Sequence, residues 1–249
     1  MLIDVHAHLD FEQFDNDRDK VIEKAKSEEI FIITSALGPE SIKKTIRILE
    51  KHKNIFASFG FAADEFNSKK IDETIKLIKK YKKRIVAIGE VGLDYYWVKD
   101  NEKKKLEMEN FQKFISLAKE LSLPMVIHSR DAEKDVIEVL KEENIKAMMH
   151  CFSGSVELAN EAIKIGCIIS IPTSIVYSKN KKILAEKIPI EKIVIETDAP
   201  FLSPIPKTRN VPTNVKFAAE KIAEIKKIPL ENVTEITTKN AIEFFNLKF

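Results

Sequence analysis

Leu2-Ile3-Asp4-Val5-His6-Ala7-His8 is a short apolar run that ends in two histidines. Residues 2–5 read as a β-strand, and a two-residue spacing in an extended chain turns both imidazoles to the same side. The arrangement recurs along the chain. Residues 84–89 (Arg-Ile-Val-Ala-Ile-Gly) run into Glu90, residues 124–127 into His128 and residues 146–149 into His150, and residues 192–195 are closely followed by Asp198. Imidazoles and carboxylates borne on the ends of different strands form a metal site when those strands surround one axis. Four of the chain's five histidines stand in these positions, an arrangement that surface solubility would not produce.

Three further runs, residues 30–34, 55–60 and 167–171, bring the strand-like segments to eight, and helical patterns separate them. Continuous apolar strands alternating with helices indicate a parallel sheet covered by helices. Eight such units in 249 residues predict a closed (β/α)₈ TIM barrel, an α/β fold that needs roughly 250 residues and counts as one domain, here residues 1–249. The competing open, doubly wound sheet would commonly carry a glycine-rich phosphate turn after its first strand. His-x-His stands there instead. Two more helical patterns, residues 213–226 and 230–245, follow a proline-rich stretch, residues 199–212, which reads as a long loop after the eighth strand.

Composition narrows the function classes. Lys and Arg number 41 against 39 Asp and Glu, a net charge of +2, so there is no basic tail, and anion binding must come from local placement. The two cysteines, Cys151 and Cys167, make no disulfide framework. No apolar run approaches the ~20 residues of a membrane span, and the N-terminus lacks a signal-peptide pattern. A cytoplasmic enzyme is expected, with no membrane association and no obligate protein partner evident.

Four imidazoles and two carboxylates exceed the needs of one tetrahedral zinc. They suit two divalent ions ~3.5–4 Å apart with a bridging group. Glu90, on strand four between the His6/His8 side and the His128/His150 side, is the natural bridge. His52 lies in Glu-Lys-His-Lys-Asn at a charged helix end and is expected to be a solvated surface residue.

Several segments carry a resemblance. Asp4-Val5-His6-Ala7-His8-Leu9-Asp10, Gly89-Glu90-Val91-Gly92-Leu93-Asp94-Tyr95, Val126-Ile127-His128-Ser129-Arg130-Asp131-Ala132, His150-Cys151-Phe152-Ser153-Gly154 and Glu196-Thr197-Asp198-Ala199-Pro200-Phe201-Leu202 resemble the TatD family, metal-dependent deoxyribonucleases among the amidohydrolase-like barrels. Glu235-Ile236-Thr237-Thr238-Lys239-Asn240-Ala241 is similar to the family's final helix. The resemblance implies one ion held by His6, His8, Glu90 and Asp198 and another by Glu90, His128 and His150, the metals being Mg²⁺, Mn²⁺ or Zn²⁺. It implies hydrolysis of DNA phosphodiester bonds, with Glu90 and Asp198 as the catalytic carboxylates and single-stranded DNA or 3′ ends as substrate. Two departures stand out. The family's Gly-x-His-Pro is Gly60-Phe61-Ala62-Ala63 here, and its Arg-Asn-Glu-Pro is Arg209-Asn210-Val211-Pro212.

The predicted rim suits a phosphodiester. Arg130 and Arg209 follow ligand-bearing strands and are expected to bind phosphate, whereas most of Lys179, Lys181, Lys182 and Lys207 read as a solvated face. Tyr95-Tyr96-Trp97 either stacks on unpaired bases or packs its own loop. Two other activities fit the same residues. One is an ester or amide hydrolase such as an aminoacyl-tRNA deacylase. The other is a nucleic-acid-binding protein without turnover.

Overall fold

The computed structural model describes residues 1–249. Eight parallel strands pair in sequence order: β1 (Leu2–Ala7), β2 (Ile30–Leu37), β3 (Ile55–Gly60), β4 (Ala87–Gly92), β5 (Met125–His128), β6 (Ala147–Met149), β7 (Ile168–Pro172) and β8 (Ile193–Glu196). Nine α-helices accompany them: α1 (Arg18–Ser27), α2 (Pro39–Lys51), α3 (Ser68–Tyr81), α4 (Asn101–Leu121), α5 (Glu133–Glu143), α6 (Val156–Lys164), α7 (Lys179–Lys187), α8 (Val215–Lys226) and α9 (Leu230–Phe245). The sheet is a nearly closed TIM barrel. Where β8 returns to β1, a parallel bridge joins Ala7 and Ala199, Asp198 N–H donates to the His6 carbonyl at 2.9 Å, and His8 N–H donates to the Ala199 carbonyl at 2.7 Å. The buried Asp4 carboxylate completes the seam by accepting from Thr197 N–H at 2.8 Å and Thr197 Oγ1 at 2.6 Å.

Two apolar layers hold the barrel. Outward-facing strand residues such as Ile32, Ile88, Ile127, Met149, Ile169 and Ile195 pack with the helices in one large cluster. Inward-facing Ile3, Val5, Ile33, Ala87, Val126, Met148, Ile168 and Val194 form a second, which the end of α9 covers with Phe244, Phe245 and Leu247. Phe249 packs its edge on Phe31 and Phe56, near the starts of β2 and β3, so the chain's end closes the mouth opposite the functional rim.

Membership of these layers shows how the strands aim their side chains. On β5, β6 and β8 simple alternation suffices: Val126, Met148 and Val194 point inward, and His128, His150 and Glu196 follow two residues later. On β1 the inward residues are Ile3 and Val5, and unbroken alternation would send His6 and His8 outward. The register slips between Asp4 and Ala7, inserting one extra residue against β2. Beyond this bulge Ala7 and Leu9 join the outer layer, and the histidines turn inward. β4 has the same slip between Gly89 and Val91, and the extra residue is Glu90. His6 and Glu90 therefore lie inside strands, at bulges, rather than just beyond strand ends as the sequence implied. A Cβ at Gly60 would collide with the Glu90 carbonyl oxygen, so β3 needs glycine to let the bulged strand come close.

Candidate metal centre

His6, His8, Glu90, His128, His150 and Asp198 converge at the C-terminal end of the barrel. The Nε2 atoms of His6 and His8 lie 3.1 Å apart. Glu90 divides its two oxygens between two sides. Oε2 is 3.3 Å from His6 Nε2 and 3.6 Å from His8 Nε2, while Oε1 is 2.7 Å from His128 Nδ1 and 3.7 Å from His150 Nε2. Asp198 Oδ1 reaches His8 Nε2 at 3.5 Å, His6 Nε2 at 3.7 Å and His150 Nε2 at 3.9 Å. Asp198 takes this position in the left-handed region (φ 58°), which aspartate tolerates better than most residues. Two sets of three donors lie close enough together that each could hold an ion: His6, Glu90 and His150, and His6, His8 and Asp198. His6 is thus shared between the two sides, and His128 stands in neither group.

The surrounding hydrogen bonds fix which ring nitrogens face inward. His8 Nδ1 lies 3.2 Å from the Ser35 carbonyl, an acceptor only, so the proton sits on Nδ1 and Nε2 is free to be a ligand. His150 Nδ1 is 3.0 Å from Glu196 Oε2, which leaves its Nε2 toward Glu90. Glu196 is fully buried and also accepts from Ser170 Oγ at 2.6 Å and Cys151 N–H at 2.9 Å. His128 is held between two carboxylates, with Nδ1 on Glu90 and Nε2 at 2.7 Å from Asp94 Oδ2.

Electrostatics follow from this packing. Burial pushes the Glu90 carboxyl up, but the His150 charge and hydrogen bonds from His128 and His6 outweigh it and hold the group well below the usual range. Asp198 is likewise pushed up by burial and brought below its ordinary value by His8, His150 and His6. Burial lowers His150 and His128, yet the adjoining carboxylates prevail and raise them to about 9 and about 10. His6 is lowered, first by burial and then by the His150 charge. Depressed carboxylates beside raised imidazoles mark a cavity that demands positive charge. The donors are those of a mixed nitrogen and oxygen site for divalent ions, and a cation there would displace protons from the rings. The residues fit a metal.

The cleft over this centre has a volume of about 330 Å³ and is lined by His128, Arg130, His150, Lys181, Asp198 and Tyr177, among others. Larger surface grooves beside α1 and α2 and beside Met1 and α9 contain none of the six. Arg130 lays its guanidinium over the Tyr96 ring at 3.7 Å and near Trp97 at 5.8 Å. Tyr95 packs its loop through a 2.8 Å bond to Asp135, whereas Tyr96 and Trp97 stay 44% and 65% exposed. Tyr177 and Phe201, 58% and 47% exposed, flank the same rim after β7 and β8.

Three expectations need correction. Arg209 does not offer a free guanidinium. It forms a two-pronged ion pair with Asp17 at 2.7 and 2.9 Å, donates to the Gln13 carbonyl, and covers the Phe14 ring. His52 is not solvated: it is buried between Asp19 at 2.9 Å and Glu23 at 3.2 Å. Lys181 is no part of a solvated face, because its ammonium is buried on the Cys151 and Phe152 carbonyls and Ser153 Oγ, where it ties down the loop after β6. Sequence reasoning also missed Asp94, Glu196 and Ser35 as orienting groups. Asp94 and Glu196 stand inside the quoted motifs, and Glu196 shares the inward phase of Val194.

The family model of "TatD related DNase" matches residues 3–246. Among curated relatives, the metal-dependent hydrolase YabD of Bacillus subtilis, itself uncharacterised, is 40% identical over 99% of this chain and 100% of its own. Human deoxyribonuclease TATDN3 is 35% identical over 98% of this chain and 88% of its own. Among solved structures, the TatD homologue YJJV of Escherichia coli superposes with a TM-score of 0.90 at 22% identity, covering 99% of this chain and 98% of that one, a likeness of fold.

Proposed function

The chain belongs to the TatD family of metal-dependent hydrolases, and from that premise we propose that it is a deoxyribonuclease cleaving DNA phosphodiester bonds at a two-metal centre. The observation that carries the reading is the division of Glu90, with one oxygen toward His6 and His8 and the other toward His128 and His150. A carboxylate so placed could serve two ions at once. His6, His8, Glu90 and Asp198 would hold one ion, and Glu90, His128 and His150 the other. Mg²⁺, Mn²⁺ and Zn²⁺ are the candidates, and the imidazoles favour a transition metal over Mg²⁺. Bound there, the ions would supply Lewis acidity for water activation and charge for the phosphoryl oxygens.

The chain's own residues do the rest. Asp198 lines the cleft with its carboxyl held ionised, so it can accept the proton of an attacking water. Arg130 lines the same cleft with no carboxylate in ion-pair range and can grip a phosphate. The exposed Tyr96, Trp97, Tyr177 and Phe201 offer flat apolar faces to unpaired bases, which favours single-stranded DNA or 3′ ends. Residues 1–249 act as one hydrolase domain. No helix is long and apolar enough to cross a membrane, and both cysteines are free; we place the enzyme in the cytoplasm.

The test is a metal-by-substrate screen. Stripped protein is reloaded with each ion and offered single-stranded DNA, duplex DNA, RNA and a charged tRNA, alongside Glu90→Gln and single histidine-to-alanine variants. We expect DNA cleavage, and a larger loss of turnover in Glu90→Gln than in any single histidine variant, since a bridge serves both ions. Deacylation of the tRNA without cleavage of DNA would move the reading to an acyl-ester hydrolase. Full metal content and near-normal turnover in Glu90→Gln would remove the bridge.

A further inference from the structure

We propose that Asp94 is a positioning residue that ties the His128 imidazole to the Tyr96–Trp97 segment after β4, coupling cation binding on the His128 side to the conformation of that loop. The proposal rests on the metal-centre reading above.

Asp94 uses its two oxygens in opposite directions. Oδ2 meets His128 Nε2 at 2.7 Å, while Oδ1 accepts from Tyr96 N–H at 3.0 Å and Trp97 N–H at 2.9 Å. Asp94 is buried, and its own N–H is anchored at 3.0 Å on Oε1 of the buried Glu107 of α4. The flanking backbone is docked on the end of β5: Leu93 N–H donates to the His128 carbonyl at 3.1 Å, and Tyr95 N–H to the Arg130 carbonyl at 2.9 Å. A shift of the His128 ring must therefore break a short bond or carry the carboxylate with it, and the carboxylate carries two amides of the exposed aromatic segment. Arg130 lies over the rings those amides position. Coupling between two ligands through such an element is reciprocal, so substrate seated on Tyr96 and Trp97 should tighten the cation on the His128 side as the cation orders the loop. A carboxylate that served only as a turn cap would need Oδ1 alone.

Trp97 is the chain's single tryptophan, so its emission reports on this loop without a label. The experiment is a Zn²⁺ titration of the chelator-stripped full chain, following bound zinc and Trp97 emission together. Zn²⁺ is closed-shell and without redox chemistry, so a spectral change reads the protein. Asp94→Asn separates the two roles. Its amide oxygen can still accept from Tyr96 and Trp97, but its NH₂ group would face His128 Nε2. The ring proton would then move to Nδ1, the nitrogen that faces Glu90.

Wild-type protein should bind zinc with a shift in Trp97 emission. In Asp94→Asn the affinity for the ion on the His128 side should fall by about 10–100-fold, the range typical of an orienting carboxylate, and the emission change should move with it. Asp94→Ala, which loses both roles, should show altered emission before any zinc is added. Two zinc ions bound by wild type with silent Trp97 emission would overturn the coupling and leave the metal centre standing. Wild-type zinc affinity in Asp94→Asn would reduce Asp94 to a turn cap and also overturn it. Failure of wild type to bind zinc at all would overturn the metal-centre reading and this proposal together.

Discussion

Glu196→Gln removes one negative charge from a fully buried carboxylate beside the centre while keeping its shape. The native group accepts three hydrogen bonds, from His150 Nδ1 at 3.0 Å, Ser170 Oγ at 2.6 Å and Cys151 N–H at 2.9 Å. The glutamine oxygen can keep Cys151. The Ser170 hydroxyl can rotate to accept from the new NH₂ group. His150 has no such freedom: Nδ1–H facing NH₂ sets two donors together. The ring must move its proton to Nε2, the nitrogen that lies 3.7 Å from Glu90 Oε1 and 3.9 Å from Asp198 Oδ1. A protonated Nε2 cannot be a ligand. Losing a hydrogen bond to a charged group costs about 1.5–3 kcal/mol of stability. Losing the orienting carboxylate costs about 10–100-fold in metal affinity. Urea midpoints of the stripped protein read the first effect, and competition with a zinc chelator reads the second. Ser170→Ala is the control, because it removes a bond to Glu196 and leaves the His150 tautomer alone. It should lower stability without changing metal affinity. Native zinc affinity in Glu196→Gln would refute the claim that Glu196 sets the His150 tautomer, and the carboxylate would be packing only.

The two arginines should part company. In Asp198→Asn protein, expected to be inactive, Arg130→Ala should weaken single-stranded DNA binding and flatten the slope of log affinity against log salt by ~0.7, with metal content unchanged from the Asp198→Asn parent; an unchanged slope would remove Arg130 from the phosphate path. Arg209→Ala should leave that slope alone and lower stability by no more than about 1 kcal/mol, since its pair with Asp17 is partly exposed. Glu107 gives a pH signature. Burial raises its carboxyl to about 7, so between an unfolded value of ~4.3 and about 7 the folded chain keeps a proton that the unfolded chain has released. The wild type should lose stability as pH rises through that window. Glu107→Gln should be the more stable protein above pH 7, by something on the order of 3 kcal/mol, with the advantage vanishing near pH 4. Denaturant midpoints of both proteins from pH 4 to 8 check this, and parallel curves would contradict it.

Much of the centre could be read along the chain because a β-strand encodes its faces with a period of two. His128 and His150 follow buried inward residues at even spacing, so the alternation that builds the barrel interior also delivers these groups to its rim, whereas Asp198 lies past β8 and takes its place through a left-handed turn. The eight apolar runs and the helices between them likewise sufficed for a TIM barrel, since parallel strands covered on both faces must be apolar throughout. His6, His8 and Glu90 were identified correctly as converging groups, but the device that turns them inward was invisible. A bulge is a property of a strand pair: only against β2 and β5 does the extra residue in β1 and in β4 exist. Partner identity was hidden for the same reason. Arg130 and Arg209 both follow strands that lead into the centre, yet one lies over Tyr96 beside the cleft, and the other is taken by Asp17, 192 residues earlier in the chain. His52 and Lys181 looked solvated from their charged neighbours and are buried, because helix packing decides which side of a helix end meets water. The sequence by itself determined, through local periodicity, the eight strands and the inward aim of His128 and His150 at or just past their ends. Only the tertiary structure decided which oxygen each imidazole meets and which cation remains free, because those contacts join segments far apart in the chain.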